Sequence, residues 1–330
     1  MAASAARYDP AVLDGRVAVV TGAGRGIGRA HALRLAAYGA AVVVNDAGVA
    51  TDGTGTDETP EEEVAGEVRA AGGRAVAHRG DVRDAATGDA LVRLALDTWG
   101  RLDVVVNNAG IGRPKMVFNL DDDEWDDVVA VHLRGTFALT RAACRLWRAD
   151  AKRSGSRTYG RIVNTSTGLL LLGGAGQSNY VAAKAGIAAF TDAVAQEMAR
   201  YGVTANTVMP GAMTRLAAMG WRMGEADPAA RDPVHVAEFA CYLASPAAGW
   251  ISGQTFQVSG ARVQHVRAWD VAQTLERDDG GWTAGELAEE LPRMFGAGPK
   301  RAAPPPKEWS DRYHDRTGPP GSASRADSPT

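Results

Sequence analysis

The stretch 17-VAVVTGAGRGIG-28 joins a short β-branched run to a glycine-rich turn, and the turn opens a helical pattern, RAHALRLAAYG. Glycines at such a junction permit a tight turn and close approach of a pyrophosphate, whose charge then sits at the helix N-terminus. The spacing is T-G-x-x-x-G-x-G, carried by Gly22, Gly26 and Gly28; Ile27 occupies the place of the last glycine of the commoner G-x-G-x-x-G. The turn therefore reads as a dinucleotide site.

Working outward, further β-branched runs follow at 41-AVVVND, 75-AVAHRGD, 102-LDVVVNNAG, 161-RIVNTSTG, 203-VTANTVMPG and 255-TFQVSG. Helical patterns such as 84-DAATGDALVRLALDTWG separate them. Strands that are apolar on both faces and alternate with helices imply a parallel sheet covered on each side. Right-handed crossovers then give an α/β, doubly wound Rossmann fold, with the ligand crevice at the carboxyl ends of its strands. A single catalytic and cofactor-binding domain is expected over residues 1–260, followed by a short extension at 261–296 and a Pro/Gly/Ser-rich, disordered tail at 297–330. Two further stretches break the alternation: the polar insertion 47-AGVATDGTGTDETPEEE, and residues 212–232, which hold Met213, Met219, Trp221 and Met223 without clean periodicity.

The second strand ends in Asp46, eighteen residues past Gly28. A carboxylate there accepts hydrogen bonds from both ribose hydroxyls and repels a 2′-phosphate, which favours NAD over NADP. Arg25 lies in the glycine loop, where it either greets a phosphate or faces solvent. Asp81 is placed to meet the adenine edge or to cap the next helix, although Asp84 suits the cap better.

In 176-GQSNYVAAKAG-186, Tyr180 and Lys184 stand four residues apart and share one face if the segment is helical. An ammonium beside a phenol lowers the phenol's pKa and makes it a usable general acid/base.

Taken together, TGAGRGIG, 107-NNAG-110, 180-YVAAK-184 and 209-MPG-211 resemble the short-chain dehydrogenase/reductase family in order and spacing, over roughly residues 12–260. The resemblance implies that Tyr180 is the general acid/base and that Lys184 lowers its pKa and binds the nicotinamide ribose. A serine thirteen residues before the tyrosine orients the substrate oxygen in that family; here the position is Thr167, which keeps a hydroxyl and adds a methyl group. Neighbouring Ser166 substitutes only if the strand end shifts register. Where the family has a relay asparagine, this chain has His132, in 131-VHLRGTF-137. The resemblance further places Asn107 to Gly110, including Asn108 and Ala109, under the nicotinamide, and Pro210, Gly211 and Thr214 against its carboxamide. Arg25, Ile27 and Val82 complete the expected cofactor contacts. VHLRGTF, the insertion after VVVND and the C-terminal extension look like the branch containing the dehydrogenase unit of the peroxisomal multifunctional enzyme and its bacterial kin, which oxidises 3-hydroxyacyl-CoA thioesters with NAD.

The leading expectation is therefore an NAD-dependent oxidoreductase on a secondary alcohol, with a 3-hydroxyacyl thioester or another lipophilic small molecule as substrate. A tailoring enzyme for a polyketide, steroid or similar metabolite is the alternative within the same chemistry. A dinucleotide-binding protein without activity is the alternative of another class.

The totals narrow the field. At 330 residues, with 45% hydrophobic and 23% charged residues and a net charge of −3, the chain is expected to be globular. Balanced charge speaks against a nucleic-acid or anionic-membrane partner. No apolar run is long enough to span a bilayer, MAASAARYDP lacks a signal-peptide core, and ADSPT carries no targeting address, so a cytoplasmic location is expected. The two cysteines, Cys144 and Cys241, argue against a disulfide framework, and no Cys/His/Asp cluster suggests a metal. The sequon Asn164-Thr165-Ser166 ends a buried-looking strand and reads as chance. A homodimer or homotetramer is expected through the helices at 121–149 and 177–201, the second with its small-residue run 182-AAKAGIAAF.

Overall fold

The β-branched runs form the centre of a sheet in this computed structural model, which describes residues 11–55, 59–212, 228–267, 269–278 and 280–295. The strands are β1 (Val17–Thr21), β2 (Ala41–Asp46), β3 (Arg74–Arg79), β4 (Val104–Asn107), β5 (Gly160–Thr165), β6 (Val203–Pro210), β7 (Thr255–Ser259) and β8 (Arg262–Val266). Their order is β3-β2-β1-β4-β5-β6-β7-β8. The first seven run parallel, and β8 pairs antiparallel with β7. The reversal in direction of travel falls between β1 and β4, the place where a doubly wound sheet opens a crevice.

Side-chain alternation sorts the core into two layers. Ala18, Val20, Val42, Val44, Val104 and Val106 pack with Leu35 of α1 (Gly26–Ala37), Val64 and Val68 of α2 (Pro60–Ala70) and Leu243 of a later helix, Pro233–Ala244. Val17, Val19, Val43, Val105 and Ile162 pack on the opposite face. Their partners there are Leu91 of α3 (Ala85–Trp99), Leu139 and Trp147 of α5 (Gly135–Ser154), and Val194 of α7 (Ser178–Met198). The short helices α4 (Asp122–Val129) and α6 (Leu169–Leu172) flank the crevice, and Pro233–Ala244 is α8.

Three local outcomes differ from the sequence expectation. The segment 121–149 is not one α-helix, because residues Ala130–Arg134 form a π turn between α4 and α5. Part of the polar insertion is helical: α2 starts at Pro60, a residue suited to the first helical position, with Glu61, Glu62 and Glu63 in its first turn. The sheet also continues beyond 260, since Gly260 takes φ +54° in the two-residue turn between Ser259 and Arg262 and lets 262-RVQHV return along β7.

The first compact unit runs through Val266 and a second begins at Arg267. Within the second, helix α9 (Ala284–Phe295) is opened by Thr283, whose N–H and hydroxyl donate to Glu286 while the Glu286 N–H donates back to the hydroxyl. The tail expected at 297–330 lies outside the described residues.

Candidate active site

The nucleotide end of the crevice is made largely of backbone. Gly22 (φ +61°) and Gly26 (φ +54°) take left-handed conformations that other residues resist. Gly28 is glycine for space: a Cβ there would lie 2.0 Å from the Gly22 carbonyl oxygen and 2.5 Å from Asn108 Nδ2. Asn108 donates through that nitrogen to the Thr21 and Gly22 carbonyls, and Thr21 Oγ1 accepts from the Asn108 and Ala109 N–H groups. These bonds lock the first loop to the one after β4. Arg25 is the N-cap of α1 and makes no side-chain cap, and the first turn holds no acidic residue, so nothing there competes with an anion for the leading N–H groups. A glycine cradle closed to any Cβ, over an uncapped helix end, fits a dinucleotide pyrophosphate.

Asp46 ends β2 with its carboxylate fixed by two backbone donors, Gly24 N–H at 2.9 Å and Gly48 N–H at 2.8 Å. Pro60 closes over the same point, since a Cβ on Gly24 would meet Pro60 Cβ at 2.7 Å. The described part of the insertion folds back as a wall, with Gly112 N–H donating to the Thr51 carbonyl. Asp81 receives Arg83 N–H and Nε, and Arg83 continues to Asp127 of α4, which Arg113 also reaches at 3.4 Å. Asp84, not Asp81, caps α3 by accepting from Ala86 N–H.

The other end is made of side chains. Tyr180 and Lys184 stand one turn apart on α7, with the Lys184 ammonium 5.7 Å from the Tyr180 ring centre. Lys184 Nζ donates to the Thr165 carbonyl at 2.7 Å. The Thr167 hydroxyl accepts the Leu169 N–H at 3.3 Å and lies near enough to the Tyr180 hydroxyl to oppose the rise in its pKa, whereas Ser166 is buried and spends its hydroxyl on the Lys184 carbonyl. Strand alternation has thus chosen Thr167 over Ser166.

His132 lies in the π turn, a widening common at functional positions. Its Nε2 sits 2.8 Å from the Ile111 carbonyl oxygen and 3.1 Å from the Ile111 N–H nitrogen, and its ring meets Tyr180 edge-on at 5.1 Å. Nδ1 is buried with no hydrogen-bond partner. Gly110 makes room for the ring: a Cβ there would fall 2.4 Å from His132 Cε1.

Burial dominates the electrostatics. It pushes the Tyr180 phenol up to about 12, opposed by the neighbouring Thr167 hydroxyl. It brings Lys184 down to about 7. His132 falls to about 3 through burial and then through the Lys184 charge, so it is neutral at pH 7. The depression of Tyr180 by Lys184 expected from the sequence does not appear: desolvation dominates the phenol, and the Lys184 ammonium is directed at the Thr165 carbonyl.

One cavity of about 340 Å³ joins the two ends, lined by Gly22, Arg25, Ile27, Asp46, Asp81 and Val82 at one side and by Thr167, Tyr180, Lys184, Pro210 and Gly211 at the other. Thr214, the methionines from Met213 to Met223 and Trp221 lie outside the described residues. Sequence reasoning missed the polar layer beneath the cavity. Asn107 donates to Asn164 and to Thr140, and Asn164 donates to Thr191. The signal was available in register, since Asn107 and Asn164 pair directly across β4 and β5. Asn164 is fully buried and no surface sequon. Among the described residues no three His, Cys, Asp or Glu side chains converge on a metal position, and no helix is long and apolar enough to cross a membrane.

Comparison with known proteins agrees with this geometry. A model of the family described as short chain dehydrogenase matches residues 16–226. The chain is 45% identical over 290 residues to a hydroxyacyl-CoA dehydrogenase, ChsB1, of Mycobacterium tuberculosis, covering 86% of this chain and 89% of that protein. It is 44% identical over 207 residues to the peroxisomal multifunctional enzyme type 2 of Mus musculus, covering 63% of this chain but only 27% of that longer protein. A short chain dehydrogenase from Mycobacterium avium of known crystal structure superposes with a TM-score of 0.76 at 42% identity, over 89% of this chain and 98% of that one.

Proposed function

The chain belongs to the short-chain dehydrogenase family, and from that premise we propose that it is an NAD-dependent 3-hydroxyacyl-thioester dehydrogenase. As a member of that family it is an oxidoreductase that interconverts a secondary alcohol and a ketone with a nicotinamide cofactor. The observation that carries the proposal is the cavity itself, which places the Tyr180–Thr167 hydroxyl pair opposite a glycine cradle guarded by Asp46.

Asp46 supports NAD over NADP. Its carboxylate is held rigid by Gly24 and Gly48 and backed by Pro60, so it offers acceptors to ribose hydroxyls and leaves a 2′-phosphate facing a fixed negative charge. The acyl-thioester class is supported by likeness to the ChsB1 dehydrogenase, whose name states that substrate class.

With its pyrophosphate in the cradle, a dinucleotide would supply hydride transfer between its nicotinamide and the carbinol carbon. Thr167 and Tyr180 together hold the substrate oxygen, and Tyr180 Oη accepts its proton in oxidation or returns it in reduction. Lys184, anchored by the Thr165 carbonyl, is the positive group one turn away that compensates the phenolate. His132 serves as a neutral clamp that fixes Ile111 and meets the Tyr180 ring edge-on. Self-association as a dimer or tetramer suits the α5–α7 face, where Phe137 stays 42% exposed with its ring 6.2 Å from that of Phe190.

The test is turnover of a medium-chain 3-oxoacyl-CoA with NADH and with NADPH, beside lipophilic ketones that lack the thioester. NADH-dependent reduction of the thioester, preferred over the ketones, is expected. Turnover of ketones alone moves the protein to another substrate class, and an NADPH preference overturns the reading of Asp46.

A further inference from the structure

Among the cavity-lining side chains with no task in the chemistry above is a carboxamide on the sheet. Gln257 stands on β7, opposite Met209 of β6 and Gln264 of β8, and lines the same cavity as Thr167, Gly168 and Leu169. It is half-buried, and its carboxamide makes no hydrogen bond to any described residue. The asparagines around the strand ends are engaged: Asn45, Asn107, Asn108, Asn164, Asn179 and Asn206 each donate to a carbonyl or a side chain of the fold, and the one other glutamine lining the cavity, Gln177, lies at the N-cap of α7 and not on the sheet. The Gln257 amide nitrogen and oxygen are not among the buried unpartnered atoms, so the amide is open to whatever fills the cavity.

Its position is fixed by a neighbour that has given up its side chain. A Cβ on Gly168 would lie 3.0 Å from Gln257 Nε2 and 3.6 Å from Cδ. Gly168 has φ −64° and ψ −11°, which any residue adopts, so glycine is not needed there for conformation. The space that glycine leaves is filled by the amide. Gly168 directly follows Thr167, so the amide nitrogen sits one residue from the hydroxyl pair that holds the reacting oxygen.

A 3-oxoacyl compound carries a second carbonyl two carbons from the reacting one. With its first oxygen held by Tyr180 and Thr167, the second requires a neighbouring donor. A neutral amide N–H suits the neutral carbonyl of a thioester or ester, whereas a free carboxylate calls for a cation. We infer that Gln257 is a specificity-determining residue whose carboxamide donates a hydrogen bond to the acyl carbonyl of the substrate. The inference rests on the acyl-thioester reading for its substrate class.

The experiment compares kcat/KM, at saturating NADH, for three ketones of equal chain length: a 3-oxoacyl-CoA, the ethyl ester of the same 3-oxo acid, and a methyl ketone without the second carbonyl. Gln257→Leu is expected to lose about tenfold on the thioester and the ester and to stay within about twofold on the methyl ketone. Gly168→Ala, which pushes the amide aside by a few tenths of an ångström, keeps the test alive if Gln257→Leu does not fold, and should show the same selective loss in milder form. An equal loss on all three compounds, or no loss on the ester, overturns the inference. A wild type that ignores the CoA thioester but prefers the ester over the methyl ketone, and loses that preference in Gln257→Leu, supports the role of Gln257 while removing the acyl-CoA reading. A wild type with no preference between ester and methyl ketone overturns the role of Gln257.

Discussion

At the end of β1 the chain builds its site from backbone: two left-handed glycines, a third without room for a Cβ, and helix N–H groups that no side chain caps. At the ends of β4 and β5 and along α7 it builds from buried side chains instead: Asn107, Asn164, Thr140, Thr191, His132 and Lys184, each exposed by a few per cent at most. The two halves meet in one cavity but depend on different physics. The first depends on the absence of atoms, and the second on buried polar groups tied to one another and to backbone, where a lost partner leaves a desolvated group behind. The first should therefore fail by steric collision and the second by loss of rate or by protonation.

The largest effect is expected from a single methyl group in the backbone half. Gly28→Ala puts a carbon 2.0 Å from the Gly22 carbonyl, so the loop must move and the cradle is lost. Titration with NADH should show a dissociation constant raised by more than about a hundredfold, roughly 3 kcal/mol or more. Dinucleotide binding within a few fold of wild type would mean that the cradle is not where the pyrophosphate sits.

In the side-chain half, Thr167→Val removes the hydroxyl and keeps the shape. The expected loss is roughly 10- to 100-fold in kcat/KM with NADH affinity unchanged, from the lost contact with Tyr180 and one hydrogen bond to the substrate oxygen. Thr167→Ser should stay within a few fold. If Thr167→Val is harmless and Ser166→Ala is not, the assignment of the working hydroxyl is reversed.

The last prediction concerns stability rather than binding or rate, and acid pH reads it. His31 and His132 are 2% and 1% exposed, and burial holds them at about 4 and about 3, below the ordinary value of 6.5. Between those folded values and 6.5 the unfolded chain binds the extra protons. Stability therefore holds above about pH 6.5 and is lost as pH falls through the window, by roughly 3 kcal/mol per histidine at pH 4. Thermal melts at pH 7, 5.5 and 4.5 should show a falling midpoint, and His31→Leu should flatten the fall. An acid dependence identical in the variant would remove His31 from the account.

What could be read in the sequence follows the same division. The glycine turn, Asp46, the parallel strands and the Tyr180–Lys184 spacing are local patterns, each set within a few residues, and the structure forms them where the sequence implies. Less legible features depend on partners distant in sequence. The π turn at Ala130–Arg134 carries no breaker residue, and its histidine finds Ile111 only once β4 and α4 are in place. β8 is short and exposed at its edge, so it shows little hydrophobic signal beyond the Gly260 turn. Desolvation of Tyr180 and Lys184 cannot be read from a four-residue spacing, which suggests attraction between the pair but says nothing of burial.

The central claim is that Tyr180 moves the proton in a site already able to hold cofactor and substrate. Its most direct test is single-turnover reduction of a 3-oxoacyl-CoA by enzyme-bound NADH in wild type and Tyr180→Phe, which keeps the ring against His132 and deletes only the hydroxyl. The account predicts a rate lower by about a thousandfold with NADH binding unchanged. A variant that turns over within about tenfold of wild type would contradict it.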